Sequence, residues 1–74
     1  MTPKEYALTA EEERMSYVDG NMLEDLYGWS FITIWRIDRA MFWKRATEEA
    51  FAEGNLLAAQ EFSYRYLEHL GELA

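Results

Sequence analysis

Cysteine is absent from the chain, and histidine occurs once, as His69. The first absence excludes a disulfide framework and any thiolate metal site, and it makes a reducing, cytoplasmic setting the expectation. The second leaves little room for metal chemistry. A carboxylate–histidine site on a helix uses Glu-x-x-His spacing, and the residue three before His69 is Tyr66. His69 with Glu72 is a pair only, so neither metal nor cofactor is assigned. The chain also lacks a Ser-His-acid set and a glycine-rich phosphate loop. Adjacent carboxylates such as Glu48 and Glu49 read as a solvated helix face, and the expectation is a non-enzymatic protein with no catalytic residue.

Long apolar runs are missing too. The longest is a few residues, far short of the ~20 that a membrane-spanning helix needs. The opening Met-Thr-Pro-Lys-Glu-Tyr does not show a positive region followed by an apolar run, so it does not read as a signal peptide. Positive charge is scarce, with seven Lys and Arg against fourteen Asp and Glu, for a net charge of −7. Such a balance opposes phosphate-backbone binding, which is chiefly electrostatic, and gives amphipathic segments acidic faces where a membrane-surface helix would carry Lys and Arg. The few cations are not scattered. Residues 1–30 carry two positive and seven negative groups, residues 31–47 four and one, and residues 48–74 one and six. A basic middle therefore lies between two acidic flanks, a pattern that bears on solubility and partners more than on fold.

What is abundant is apolar and aromatic mass: half of the 74 residues are apolar and 16% are aromatic. A chain of this size is one domain, residues 1–74, that buries only about 60% of its unfolded surface. Four of the seven basic residues and five of the twelve aromatic residues fall between Ser30 and Glu53. Phe31 to Ile37 alone could be a buried strand, since it is β-branched and aromatic. Over the longer window Phe31, Ile34, Trp35, Met41, Phe42 and Ala46 recur at three- and four-residue steps without a Gly or Pro until Gly54, which predicts a long helix capped by Ser30. Its apolar residues spread over more than half its circumference, so several elements must contact it.

Two Thr-x-x-Glu capping boxes precede it, at Thr2 and at Thr9. Thr9 is the expected helix start, because Glu11, Glu12 and Glu13 would then lie in the first turn, where the helix dipole favours negative charge. Residues 1–8 would be a short turn or a mobile arm. Asp19-Gly20-Asn21 is expected to stop that helix, Asn21 to cap a second, and Gly28 to end it. After the long helix, Gly54 suits a left-handed turn and Asn55 an N-cap, so a last helix from about Leu56 to Leu70 folds back antiparallel. Its expected packing stripe is Leu56, Ala59, Ser63, Tyr66, Leu67 and Leu70 with Phe62 at the edge, His69 lying on the polar side, and Glu72 to Ala74 fraying. The fold class is thus all-α: a bundle of three to four helices with a long central helix and a C-terminal helical hairpin.

Two groups of side chains carry functional interest. Ile32, Arg36, Arg39 and Trp43 form one strip at steps of four, three and four, turned away from Phe31. Tryptophan and arginine are enriched among interface hot spots, so this strip is the candidate partner-binding site, the competing reading being that the first helix and its glutamates cover it. Asp38, Arg45 and Glu49 share the Phe31 side, either as exposed i,i+4 pairing of Arg45 with Glu49 or as a buried ion network. The expected function is a protein-binding module, a small acidic adaptor or inhibitor of a larger protein. A subunit that completes its core as a homodimer is the alternative, with nucleic-acid association or DNA mimicry a minority reading. If the long helix is right, circular dichroism shows a predominantly helical chain, and Ile34→Pro removes most of that signal at a cost of about 3 kcal/mol or more; a strongly β spectrum would sink the architecture.

Overall fold

The longest stretch free of glycine and proline becomes the longest helix. The computed structural model describes all 74 residues, Met1–Ala74. It contains α1 (Pro3–Thr9), α2 (Tyr17–Tyr27), α3 (Phe31–Ala52) and α4 (Leu56–Gly71), and no strand. Ser30 caps α3, its hydroxyl accepting the Thr33 N–H at 3.3 Å. At 1.5 Å per residue the helix is about 33 Å long, and it sets the 40 Å long axis of the molecule.

The turn after α3 follows its sequence signals. Gly54 is left-handed at φ 76°, and the Asn55 side chain accepts the Ala58 N–H at 3.1 Å. Helix α4 returns antiparallel along α3, with Ala50 and Ala59 both buried beside the turn. Its packed face is Ala59, Phe62, Tyr66 and Leu70, whereas Leu56 and Leu67 of the expected stripe are exposed. Small Ala59 allows the closest approach of the two helices, and the packed face centres on it instead of on the leucines. No helix is long and apolar enough to cross a membrane.

The first two helices start elsewhere than Thr9 and Asn21. Thr2 forms the capping box, accepting the Glu5 N–H at 3.1 Å while its own N–H donates to Glu5 Oε1 at 3.3 Å. Thr9 instead ends α1, its hydroxyl donating back to the Glu5 carbonyl at 2.9 Å, and Glu11, Glu12 and Glu13 lie in the connection to α2. The physical reason is tertiary. Ala7 is fully buried in the core, and Lys44 of α3 donates to the carbonyls of Leu8 at 2.8 Å and Ala10 at 3.3 Å. A cation thus caps the C-terminus of α1 from another helix, satisfying orphan carbonyls and complementing the dipole.

Ser16, not Asn21, caps α2, accepting the Asp19 N–H at 3.0 Å, and the helix runs straight through Asp19-Gly20-Asn21 to a left-handed Gly28. An internal glycine costs about 1 kcal/mol. Burying Leu23, which this longer helix achieves, is worth about 1.5–3 kcal/mol. At the far end Leu73 is 5% exposed, and the Lys4 N–H donates to the Ala74 carbonyl at 3.1 Å, so the residues expected to fray are packed against α1.

The core comprises Ala7, Ile37, Ala40, Met41 and Leu73, with Tyr6, Trp29, Tyr66 and Leu70 packed around it. Trp29 joins α1 to the end of α2, stacked on Tyr27 at 4.6 Å and edge-on to Tyr6 at 6.1 Å. Helices α1, α2 and α4 therefore cover three sides of α3, and the fourth side is open. A Cβ added at Gly20 would stand 3.5 Å from Ile34 and 3.7 Å from Met15, ordinary contact distances. Gly20→Ala should accordingly raise stability by about 0.5–1 kcal/mol in urea denaturation, through helix propensity and a less flexible unfolded chain; a loss would mean that α2 does not continue through residue 20.

Candidate functional site

The open side of α3 carries residues that the apolar spacing had marked for the core. Phe31 is 81% and Trp35 44% exposed. Phe42, one helical repeat beyond Trp35, is half-buried. Only eight of 74 residues are buried, so four short helices leave this face without a cover. Toward α2 it opens into a shallow cleft of about 200 Å³ lined by Tyr17, Gly20, Glu24, Phe31, Ile34 and Trp35. Toward α4 it meets His69, whose ring stands edge-on to Trp35 at 6.3 Å. His69 is thus half-buried against an aromatic, not on a polar face, and its buried Nδ1 has no hydrogen-bond partner.

Around Phe42 the face turns into a series of alternating guanidinium groups and rings. Arg14 lies 5.6 Å and Arg39 5.0 Å from the Phe42 centroid. Arg39 is also 6.0 Å from the Trp43 centroid, and Arg65 of α4 is 5.9 Å from it. Ring faces attract cations through their quadrupoles, and a guanidinium can meet a ring while the donors on its edges still hydrogen-bond. Those edges are mostly occupied. Arg14 makes a bidentate contact with Asp38, at 2.8 to 3.1 Å, while Arg65 meets Glu61 at 3.7 Å, Arg36 meets Glu72 at 3.3 Å, and Arg45 meets Glu49 at 3.4 Å and Glu48 at 3.8 Å. Arg39 alone among the five arginines pairs with no carboxylate.

The strip predicted for partner binding is divided by this arrangement. Ile32 is 48% exposed, and Arg39 belongs to the open face. Arg36 is tied to Glu72, and Trp43 packs against Phe62 at 5.6 Å and edge-on to Phe42 at 5.0 Å. The element lying along the strip is α4, not the acidic segment 11–13. Asp38, Arg45 and Glu49 do not form one network. Arg45 and Glu49 pair in solvent, and Asp38 binds Arg14 and also accepts the Met15 N–H at 2.8 Å. Sequence spacing put Phe31, Trp35 and Phe42 together, but Arg14 and Arg65 come from other elements and had no local signal.

Burial raises the phenol pKa values of Tyr6 and Tyr66 above the ordinary tyrosine value, assisted by the negative charges of Asp19 and Glu12 near Tyr6 and of Glu48 near Tyr66. Both tyrosines serve the interior; neither stands on the open face. No group of three or more acidic or histidine side chains stands together as a metal site would require. No protein-family model matches the chain, and no curated protein or solved structure matches it.

The buried indole N–H of Trp43 has no acceptor, and its ring supports the α3–α4 seam. Trp43→Ala should therefore lower stability by about 2–3 kcal/mol, below the range for fully buried tryptophan because part of the ring is exposed. Trp43→Phe should cost far less, since it keeps a ring and removes an unsatisfied donor. Equal urea midpoints for wild type and Trp43→Ala would detach this residue from the seam.

Proposed function

We propose that this chain is a non-enzymatic protein-binding module, a small acidic adaptor or inhibitor that engages a larger protein through the open side of α3. The observation that carries the reading is the exposure of Phe31 and Trp35 on the helix that forms the core with its other faces. Rigid aromatic side chains on a continuous helix lose little conformational entropy on binding, and they sit beside Ile32 and Arg39 from the strip singled out in the sequence. Trp43, packed against Phe62, lies 6.0 Å from the Arg39 guanidinium. A cytoplasmic setting agrees with the absence of cysteine.

Homo-oligomerisation has one observation in its favour. Val18, Met22 and Leu26, four residues apart on α2, are all exposed and would form a second apolar stripe. Sedimentation at low micromolar concentration separates the two readings: a single 8.8 kDa species supports the binding module, and a stable dimer broken by Met22→Glu supports the subunit. Affinity capture from the native cell extract then addresses the partner. Phe31→Ala and Trp35→Ala should each weaken the captured interaction by about 2 kcal/mol. Phe31→Ala, at a side chain that supports little of the fold, should change stability by no more than about 0.5 kcal/mol. Undiminished binding by both variants would move the interface elsewhere.

A further inference from the structure

We infer that the open side of α3 receives an amphipathic helix with one carboxylate among its apolar anchors, the apolar residues seating on Phe31, Trp35 and Phe42 and the carboxylate pairing with Arg39. This inference rests on the protein-binding reading and specifies the partner's chemistry. Its basis is charge complementarity. In a chain of net charge −7, four arginines already have carboxylate partners within the fold. Arg39 has none, although fourteen acidic residues are present to supply one.

Its guanidinium carbon stands 5.0 Å from the Phe42 centroid and 6.0 Å from that of Trp43, which places the group among the rings of this face. A planar fork of donors matches a carboxylate bidentately, and the match is strongest where apolar neighbours exclude water. Here those neighbours are the exposed rings on the same face of α3. The distance from Phe31 to Phe42 corresponds to about 16 Å of helix axis, or three turns. The cleft beside Phe31 and Trp35 runs along α2, and rings on one face of α3 suit a helix laid against them, whose own anchors recur at three- and four-residue spacing.

A single unpaired cation distinguishes this occupant from a nucleic acid. Each nucleotide brings a phosphate, and a strand crossing the face would place several negative charges against side chains whose charge is already compensated, within an acidic protein. One carboxylate among apolar anchors requires one free guanidinium. That is what the face offers.

The test is selection of peptides from a displayed random library of about sixteen residues, long enough for three turns with flanks, on the intact chain. Peptides recovered on wild type should carry Leu, Phe or Trp at three- and four-residue spacing, with Asp or Glu enriched at one position between them. Selection on Arg39→Gln should keep the apolar pattern and lose the acidic enrichment, and Arg39→Lys should partly restore it. A recovered peptide should bind Arg39→Gln roughly tenfold more weakly, each variant first being matched to wild type in helicity and melting. Apolar peptides that depend on Phe31 and Trp35 but show no acidic bias would overturn the inference while sparing the protein-binding reading. Peptides indifferent to Phe31→Ala and Trp35→Ala would remove both. Two results would assign the face another occupant and likewise overturn the inference: a dimer dissolved by Phe31→Asp, which would mean a second copy, and retention of a fluorescent oligothymidylate by wild type but not by Arg39→Gln, which would mean a nucleic acid.

Discussion

Asp38 and Lys44, both on α3, hold the same piece of chain from two points. Lys44 grips the carbonyls that end α1, and Asp38 grips Arg14 and the Met15 N–H just before α2 begins. Together they fix the connection between the first two helices, which has no regular structure of its own. The placement of α1 over Ile37 and Met41, and of α2 beside Ile34, depends on that connection. Hydrogen bonds to charged groups contribute about 1.5–3 kcal/mol in favourable settings, and the exposure of Arg14 reduces its share through solvent screening. In a chain with so small a core, even the lower end of that range decides whether two helices stay docked.

The legible part of the fold was the part determined by neighbours in sequence. Ser30, Gly54 and Asn55 act through bonds or dihedrals within a few residues of themselves, and all three do what local chemistry says. Thr9 and Asn21 are equally good local signals, yet each lies inside a helix whose ends are set from a distance, by Lys44 in one case and by burial of Leu23 in the other. The same distinction separates what was visible of the open face. A helical wheel places Phe31, Trp35 and Phe42 on one side of α3. It cannot tell which side the other helices will leave uncovered, because that follows from where α1, α2 and α4 dock.

The aromatic residues divide by task. Trp29 and Tyr6 knit α1 to α2, Trp43 and Phe62 knit α3 to α4, Trp35 meets only the edge of His69, and Phe31 pairs with no ring. Arginines divide similarly. Four are neutralised by carboxylates, Arg45 and Arg65 by partners on their own helices and Arg14 and Arg36 by partners on other elements, and Arg39 is not. In a sequence so rich in acid, Arg39 meets the rings of Phe42 and Trp43 and no carboxylate. Internal packing and a candidate interface are therefore written on one helix, a third of a turn apart.

The bond from Lys4 to Ala74 brings the two ends of the 74-residue chain together. Helices α3 and α4 meet through a tight turn and close only a short loop, which makes them the natural first structure during folding. Docking of α1 brings Leu8 to Lys44 across 36 residues and Lys4 to Ala74, so it closes longer loops than the hairpin and follows it. Release of α1 would uncover Ala7 and Leu73 of the core and leave the contacts of the hairpin in place. Residues 1–10 would then exchange their amide protons before those of α3, and the molecule would behave as a two-helix frame with a slower-forming, separable first helix.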